Sequence, residues 1–263
     1  MKKFLALAVA ASLSFSGAAL ADTGTSFSPA QQQEIQKITE QWLTAHPEIL
    51  IKMSQELQQR QQKAQQAQLT NGVKKLSEQL QQVKGVPHAG PEDASVIVTE
   101  FFDYQCLFCH RDAPIVEKLM QDNPKVKFVF RDWPIFAGQY PLSNTAALTG
   151  IGLYLEAGAE TYLKYHNGIF ATGHDEGKLT EQDIADVAAK AMGKQVKLDD
   201  LKSYTATIDK NDMLARAIGA TGTPLFIVMP AQSAKISEDN ITVFPRAASL
   251  DELQAAIDRV AAK

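Results

Sequence analysis

The only two cysteines among the 263 residues, Cys106 and Cys109, stand three apart. They fall where an apolar strand pattern turns into a helical one, within Glu100-Phe101-Phe102-Asp103-Tyr104-Gln105-Cys106-Leu107-Phe108-Cys109-His110. Two thiols at the start of a helix can close a small disulfide ring, and the first sulfur faces the unpaired N–H groups of the opening turn. A thiolate there is stabilised by the positive end of the helix dipole. Cys106 therefore reads as the acidic nucleophile and Cys109, one turn in, as the buried thiol that resolves a mixed disulfide. Other chemistries use the same letters. Zinc needs about four ligands, and His88, His166 and His174 have no ligand spacing, so no metal is expected. Cys106 to His110 also spells C-x-x-C-H, a c-type haem attachment pattern, but a strand running directly into the motif suits a strand-to-helix site better. A purely structural disulfide would constrain little of the unfolded chain in so small a ring.

The elements that position these thiols follow from periodicity. Val96, Ile97, Val98, Phe101 and Phe102 are apolar on both faces, as in a central strand covered on both sides. Glu100 interrupts one face and reads either as a strand charge that reaches solvent or, the favoured reading, as a buried carboxyl with a raised pKa placed to exchange protons with Cys109. The helix after Cys106 contains Pro114, and residues 125–130 read as the next strand, parallel to the first through a right-handed crossover. Residues 143–157, 160–170, 180–192 and 199–218 are four helical stretches in succession, separated by glycines, with Leu198-Asp199-Asp200-Leu201 as the last start. Gly222-Thr223-Pro224 then opens an apolar strand. Pro224 is either a plain edge residue or part of a cis Thr223–Pro224 bond that would offer the Thr223 backbone to a passing chain. Residues 241–244 form a last strand, and Ser249 with Glu252 makes a capping box for the terminal helix.

The front of the chain differs in composition. Lys2 and Lys3, an apolar run and Ala19-Leu20-Ala21 make residues 1–21 a secretory signal peptide. Its removal takes the formal charge from −4 to −6, and no basic patch points to nucleic acid. Export into an oxidising compartment suits a lone redox pair. From residue 28 to 84 glutamine dominates and Gly72 is the only glycine. Leu69, Val73, Leu76, Leu80 and Val83 step by four, three, four and three, a short heptad seam. Such a stripe must be buried against the chain's own globular part or against a second copy. The turn-rich residues 85–94 read as a linker, which favours self-association. The expected division is a leader (1–21), a helical dimerisation segment (22–84), a linker (85–94) and a catalytic domain (95–263) with a helical insertion at about 143–218.

Taken together, Glu100 six before Cys106, the C-x-x-C turn, Pro114 and Gly222-Thr223-Pro224 resemble the thioredoxin fold. The helical insertion and Arg131-Asp132-Trp133-Pro134-Ile135 resemble the DsbA-type branch of periplasmic thiol-disulfide oxidoreductases. The leader and the glutamine-rich segment with Ala45-His46-Pro47-Glu48 resemble its subgroup with an N-terminal oligomerisation region. The resemblance implies an α/β thioredoxin fold carrying an inserted helical subdomain behind an N-terminal helical oligomerisation segment. It further implies Cys106 as nucleophile, Cys109 as resolving thiol, Glu100 as buried proton acceptor and Thr223 with Pro224 as the substrate-facing loop. Leu107 and Phe108, between the cysteines, are expected to meet substrate, and they replace the histidine of the strongly oxidising members, leaving His110 poorly placed to help. Threonine before the proline is seen in isomerase-type relatives. The expectation is a homodimeric periplasmic enzyme that forms and isomerises disulfides without a cofactor. Its partners would be unfolded or misfolded exported proteins and a membrane redox partner. The alternative expectations are a redox-assisted chaperone and a c-type haem protein.

Overall fold

The computed structural model describes residues 27–197, 203–232 and 236–262. The leader and the helix start at 198–201 lie outside them. The chain divides into two compact units, one ending at Gln58 and one beginning at Gln59.

In the first unit, α1 (Pro29–Ala45) starts on a capping box: the Ser28 hydroxyl accepts from the Gln31 N–H and the Gln31 side chain accepts from the Ser28 N–H. Pro29 occupies the first helical position, where a missing N–H costs nothing. The helix stops at His46, whose ring stacks on Trp42, and Pro47 leads into α2 (Glu48–Lys75). None of the side chains of α1 is buried, and Ile35, Ile38, Trp42, Leu50, Met53 and Leu57 all stand in solvent.

In the second unit, a five-stranded sheet runs in the order β1 (His88–Ala89), β3 (Lys127–Asp132), β2 (Val96–Phe102), β4 (Leu225–Pro230), β5 (Thr242–Phe244). Strands β2 and β3 are parallel, as the crossover rule required, and the other pairs are antiparallel. Every residue of β2, β3 and β4 is buried. Side chains alternate between two cores. Val96, Val98, Phe102, Phe128, Phe130 and Phe226 face α4 (Leu107–Asp122), α5 (Leu142–Ala171), α6 (Glu181–Met192) and α8 (Leu250–Ala261). Phe101, Leu225 and Ile227 face the end of α2, α3 (Ser77–Gln81) and α7 (Thr205–Ile218). The insertion is thus α5 to α7, with Gly158 at φ 81° interrupting α5 where the sequence separates two stretches. The terminal helix opens on the expected Ser249–Glu252 capping box.

Two expectations are corrected. The heptad seam is not a free oligomerisation face: Leu69, Val73 and Leu80 are buried in the second core, with Leu76 packed against it. Gly72 explains the fit, since a Cβ there would lie 2.5 Å from the Ile218 carbonyl oxygen. Only a residue without a side chain lets α2 approach the end of α7 so closely. Residues 85–94 are not a bare linker either, because His88 and Ala89 pair with Val129 and Phe128 as an edge strand and Val86 packs on Ile97 and Val129. The catalytic unit therefore begins well before residue 95. Arg131, fully buried, fastens this arrangement by donating to Asn211 Oδ1 (3.1 Å) and to the carbonyls of Leu80 (2.9 Å) and Gln79 (3.3 Å).

Gly72→Ala is expected to destabilise the protein by about 1–3 kcal/mol, the usual cost of overpacking, seen as a lower denaturant midpoint. An unchanged midpoint would mean that α2 does not dock against Ile218.

Candidate active site

Cys106 occupies the cap of α4, and its backbone is extended (φ −83°, ψ 117°), which turns the sulfur over the first turn. Across from it, the Thr223–Pro224 bond is cis, and the Cys106 thiol donates to the Thr223 carbonyl at 3.4 Å. Both cysteines are free thiols. Cys109 lies one turn into α4 on its buried face, together with Asp112, Ala113 and Val116.

The two thiols are driven apart electrostatically. The Cys106 thiol is lowered from 9.0 to about 6, first by a hydrogen bond from the Cys109 thiol, then by the Thr223 side chain and the N–H groups of Cys109 and Phe108. The Thr223 hydroxyl, buried and without another partner, is thus free to donate to the thiolate. His110 plays no part in this; its ring leans on Phe170. Burial pushes the Cys109 thiol well up, and the neighbouring Cys106 and Glu100 add to it. Glu100 is also raised, by burial first and then by the charges of Asp112, Cys106 and Asp132. Its Oε2 is buried without a partner.

The structure therefore brings Cys106, Cys109, Glu100, Thr223 and Pro224 into one place. Leu107 is half-buried, whereas Phe108 stands 52% exposed beside the thiols, with the Arg111 guanidinium 5.7 Å from its ring centre. Haem attachment through both sulfurs does not fit, because Cys109 is 0% exposed. Among the described residues, no group of three or more His, Cys, Asp and Glu side chains is placed to hold a metal.

Sequence reasoning missed the residues that hold the loop before α4. Asp103 Oδ1 accepts from the Gln105 N–H (2.8 Å) and the Ser143 hydroxyl (2.6 Å), while Oδ2 accepts from the Phe136 N–H (2.9 Å). Gln105 in turn accepts from the Gly177 N–H through its side chain. The local signal was an aspartate two residues ahead of a backbone N–H in a turn, the Asx-turn pattern; its long-range partners leave no mark in the sequence.

Residues 81–259 match the family model described as Thioredoxin. The chain belongs to the thioredoxin family. Residues 31–64 match the model of the copper resistance protein ScsC N-terminal domain, so the resemblance to DsbA-type oxidoreductases with a front segment holds at both ends. The crystal structure of BcfH from Salmonella enterica Typhimurium is similar at 33% identity and TM-score 0.76, covering 88% of this chain and 96% of that one. Disulfide bond formation protein D of Bacillus subtilis is 27% identical over 191 residues, 67% of this chain and 78% of its own length. A sodium/proton antiporter, NhaA 3 of Salinispora tropica, is 28% identical over 147 residues. They make up 53% of this chain, which spans only 21% of that relative. The catalytic domain is that of a thiol-disulfide oxidoreductase, with a dithiol poised for exchange.

In the reduced protein, Cys106 should titrate near pH 6 by thiolate absorbance, with Cys109 silent through neutral pH. Thr223→Val and Cys109→Ala should both move that titration upward, Cys109→Ala by more. Because the folded pKa lies below the unfolded one, the thiolate's contribution to stability is fully present above about pH 9 and is lost as pH falls through about 6. The stability advantage of reduced protein over Cys106→Ser should therefore grow between those limits. A Cys106 titration near pH 9 in the native protein would contradict the site as described.

Proposed function

We propose that this protein forms and isomerises disulfides in exported proteins, in the periplasm, as a homodimer joined through its first unit. The observation that carries the reading is the pairing of an acidic Cys106 with a buried Cys109 beside the Thr223 carbonyl. Thr223 lies next to the sulfur, just ahead of β4, where a substrate strand can pair with its backbone groups while its disulfide meets Cys106. Exposed Phe108 offers an apolar contact that does not depend on substrate sequence.

In the reducing direction the Cys106 thiolate attacks a substrate disulfide, and one substrate sulfur leaves as thiolate. Cys109 then passes its proton to Glu100 and attacks Cys106 Sγ, releasing the second substrate sulfur. Isomerisation needs only the first step, followed by attack of another substrate thiol on the mixed disulfide. In the oxidising direction a substrate thiolate attacks Cys106 of the disulfide form, and Cys109 leaves and takes up a proton; a second substrate thiolate then attacks the substrate sulfur of the mixed disulfide, closing the substrate disulfide and releasing Cys106 as thiolate. A membrane redox partner resets the pair.

The apolar face of the first unit supports the dimer. Ile35, Leu43, Pro47 and Leu50 line a groove of about 660 Å³, and Ile38, Trp42, Met53 and Leu57 are exposed nearby in sequence. Apolar side chains left in solvent along two consecutive helices suit burial against a partner, and the match to an N-terminal domain model covers this stretch. The residue 1–21 leader supports export. Among the described residues no helix is long and apolar enough to cross a membrane.

Rescue of a scrambled disulfide protein should vanish in Cys106→Ser, whereas Cys109→Ser should accumulate mixed disulfides with substrate. Removing the chain through residue 58 should give a monomer that still oxidises thiols but loses most isomerisation. A truncated protein that sediments as a dimer, or a Cys106→Ser protein that still isomerises, would overturn the proposal.

A further inference from the structure

Asp132, the last residue of β3, is a buried carboxyl that the thiol chemistry above leaves unused. Both of its oxygens are shielded from solvent and have no hydrogen-bond partner; only its own backbone N–H helps its ionised form. Buried polar atoms are nearly always paired, so an orphan carboxyl calls for a functional reason. Its location supplies one. In the parallel register Glu100 lies opposite Phe130 and Phe102 opposite Asp132, so the two carboxyls occupy the same sheet face on neighbouring strands. Standard strand geometry places them about 4.8 Å apart across the sheet and about 6.6 Å along it.

Aromatic rings roof this face: Tyr162 and His166 pack on Phe130, and His166 also on Phe102. The titratable groups that face the pair come from three directions. The loop after β2 contributes Asp103, which raises Asp132, and Tyr104. Helix α4 contributes Asp112, together with Cys106 at its cap and Cys109, all acting on or acted on by Glu100. Helix α5 contributes the hydroxyls of Tyr162 and Tyr165 and His166, which burial keeps neutral by lowering it to about 3. The adjacent cation, Arg131, is engaged with Asn211 and the end of α3 instead. Asp112 has a structural task of its own, since its Oδ2 accepts from the Ala248 N–H and Arg246 draws on its charge. Asp132 has neither.

We propose that Asp132 is a positioning residue that holds the proton on Glu100, biasing this buried acid toward protonating Cys109 as it leaves and against deprotonating it as it attacks. Burial raises both carboxyls, the charge of Asp132 adds to the rise of Glu100, and two carboxyls on one dry sheet face resist ionising together. In the oxidising direction a substrate thiolate forms a bond to Cys106 Sγ, the Cys106–Cys109 bond breaks, and the Cys109 sulfur leaves with the electron pair and takes the Glu100 proton. In the reducing direction Cys109 must first lose its proton to ionised Glu100, so Asp132 slows resolution and lengthens the life of the mixed disulfide. That delay gives a second substrate thiol time to attack, which is what isomerisation requires. The inference rests on the proposed role of Glu100.

The test is a single turnover of the reduced mature protein with oxidised glutathione, acid-quenched across pH 5–9 and read by mass as loss of the Cys106–glutathione adduct. Asp132→Asn is expected to move the midpoint of resolution about one pH unit lower, a roughly tenfold faster step on the acid limb, without moving the Cys106 thiolate titration. Asp132→Ser should do the same and covers the case of a variant that does not fold. In a Glu100→Gln background, Asp132→Asn should add no shift. An Asp132 variant that superimposes on wild type, or a shift that persists in Glu100→Gln, overturns the proposal. A Glu100→Gln protein that itself resolves with the wild-type pH profile would instead remove the role of Glu100.

Discussion

The contact between the Cys106 sulfur and the Thr223 turn, made over the first turn of α4, is the constraint to which the rest of the structure answers. One sulfur must sit where helix N–H groups, the Cys109 thiol and the Thr223 hydroxyl can all reach it. The other must lie in the core, a helical turn away. The same α4 therefore supplies opposite environments, and the difference between them is the driving force for exchange. Holding that geometry demands a rigid support. Strand β2, buried along its length, delivers the chain to the turn, and Asp103 ties the turn to the Phe136 N–H and to Ser143 at the start of α5.

Charge in the interior carries a stability cost that function explains only on one face of the sheet. Glu100 lies next to the thiols and Asp132 shares its sheet face, each with buried oxygen left unpaired and each pushed toward the neutral form by burial. On the opposite face the two terminal nitrogens of Arg131 donate to Asn211 and to the α3 carbonyls, which joins the end of the helical front segment to β3. Neighbouring residues in sequence thus divide two tasks, one structural and one chemical, because side chains alternate across a strand.

Much of this was legible in the sequence. The spacing of Cys106 and Cys109, the doubly apolar strand before them and the isolated Glu100 each name a physical environment, and the structure supplies it. Period and composition describe a surface, however, and not what covers it. The stripe from Leu69 to Val83 reads equally well as a coiled-coil seam and as a face docked on the chain's own sheet; only the close approach of Gly72 to Ile218 separates the two. Residues 85–94 have a linker's composition, yet a two-residue edge strand needs only exposed backbone and a neighbour to pair with. Asp103 and Asp132 were passed over because their surroundings are assembled from α5, β2 and the 133–136 loop, which meet only in the folded chain.

The measurement that bears most directly on the Cys106–Cys109 site is its redox equilibrium with glutathione, read by mass after alkylation of the full-length mature protein. A Cys106 thiolate stabilised at pH 6, without a histidine between the cysteines, predicts a potential more oxidising than thioredoxin's, roughly −270 mV, yet short of the strongest oxidant, DsbA, at about −120 mV. A potential at or below thioredoxin's would contradict it, because the reduced pair would then gain nothing from the helix terminus and the Thr223 turn.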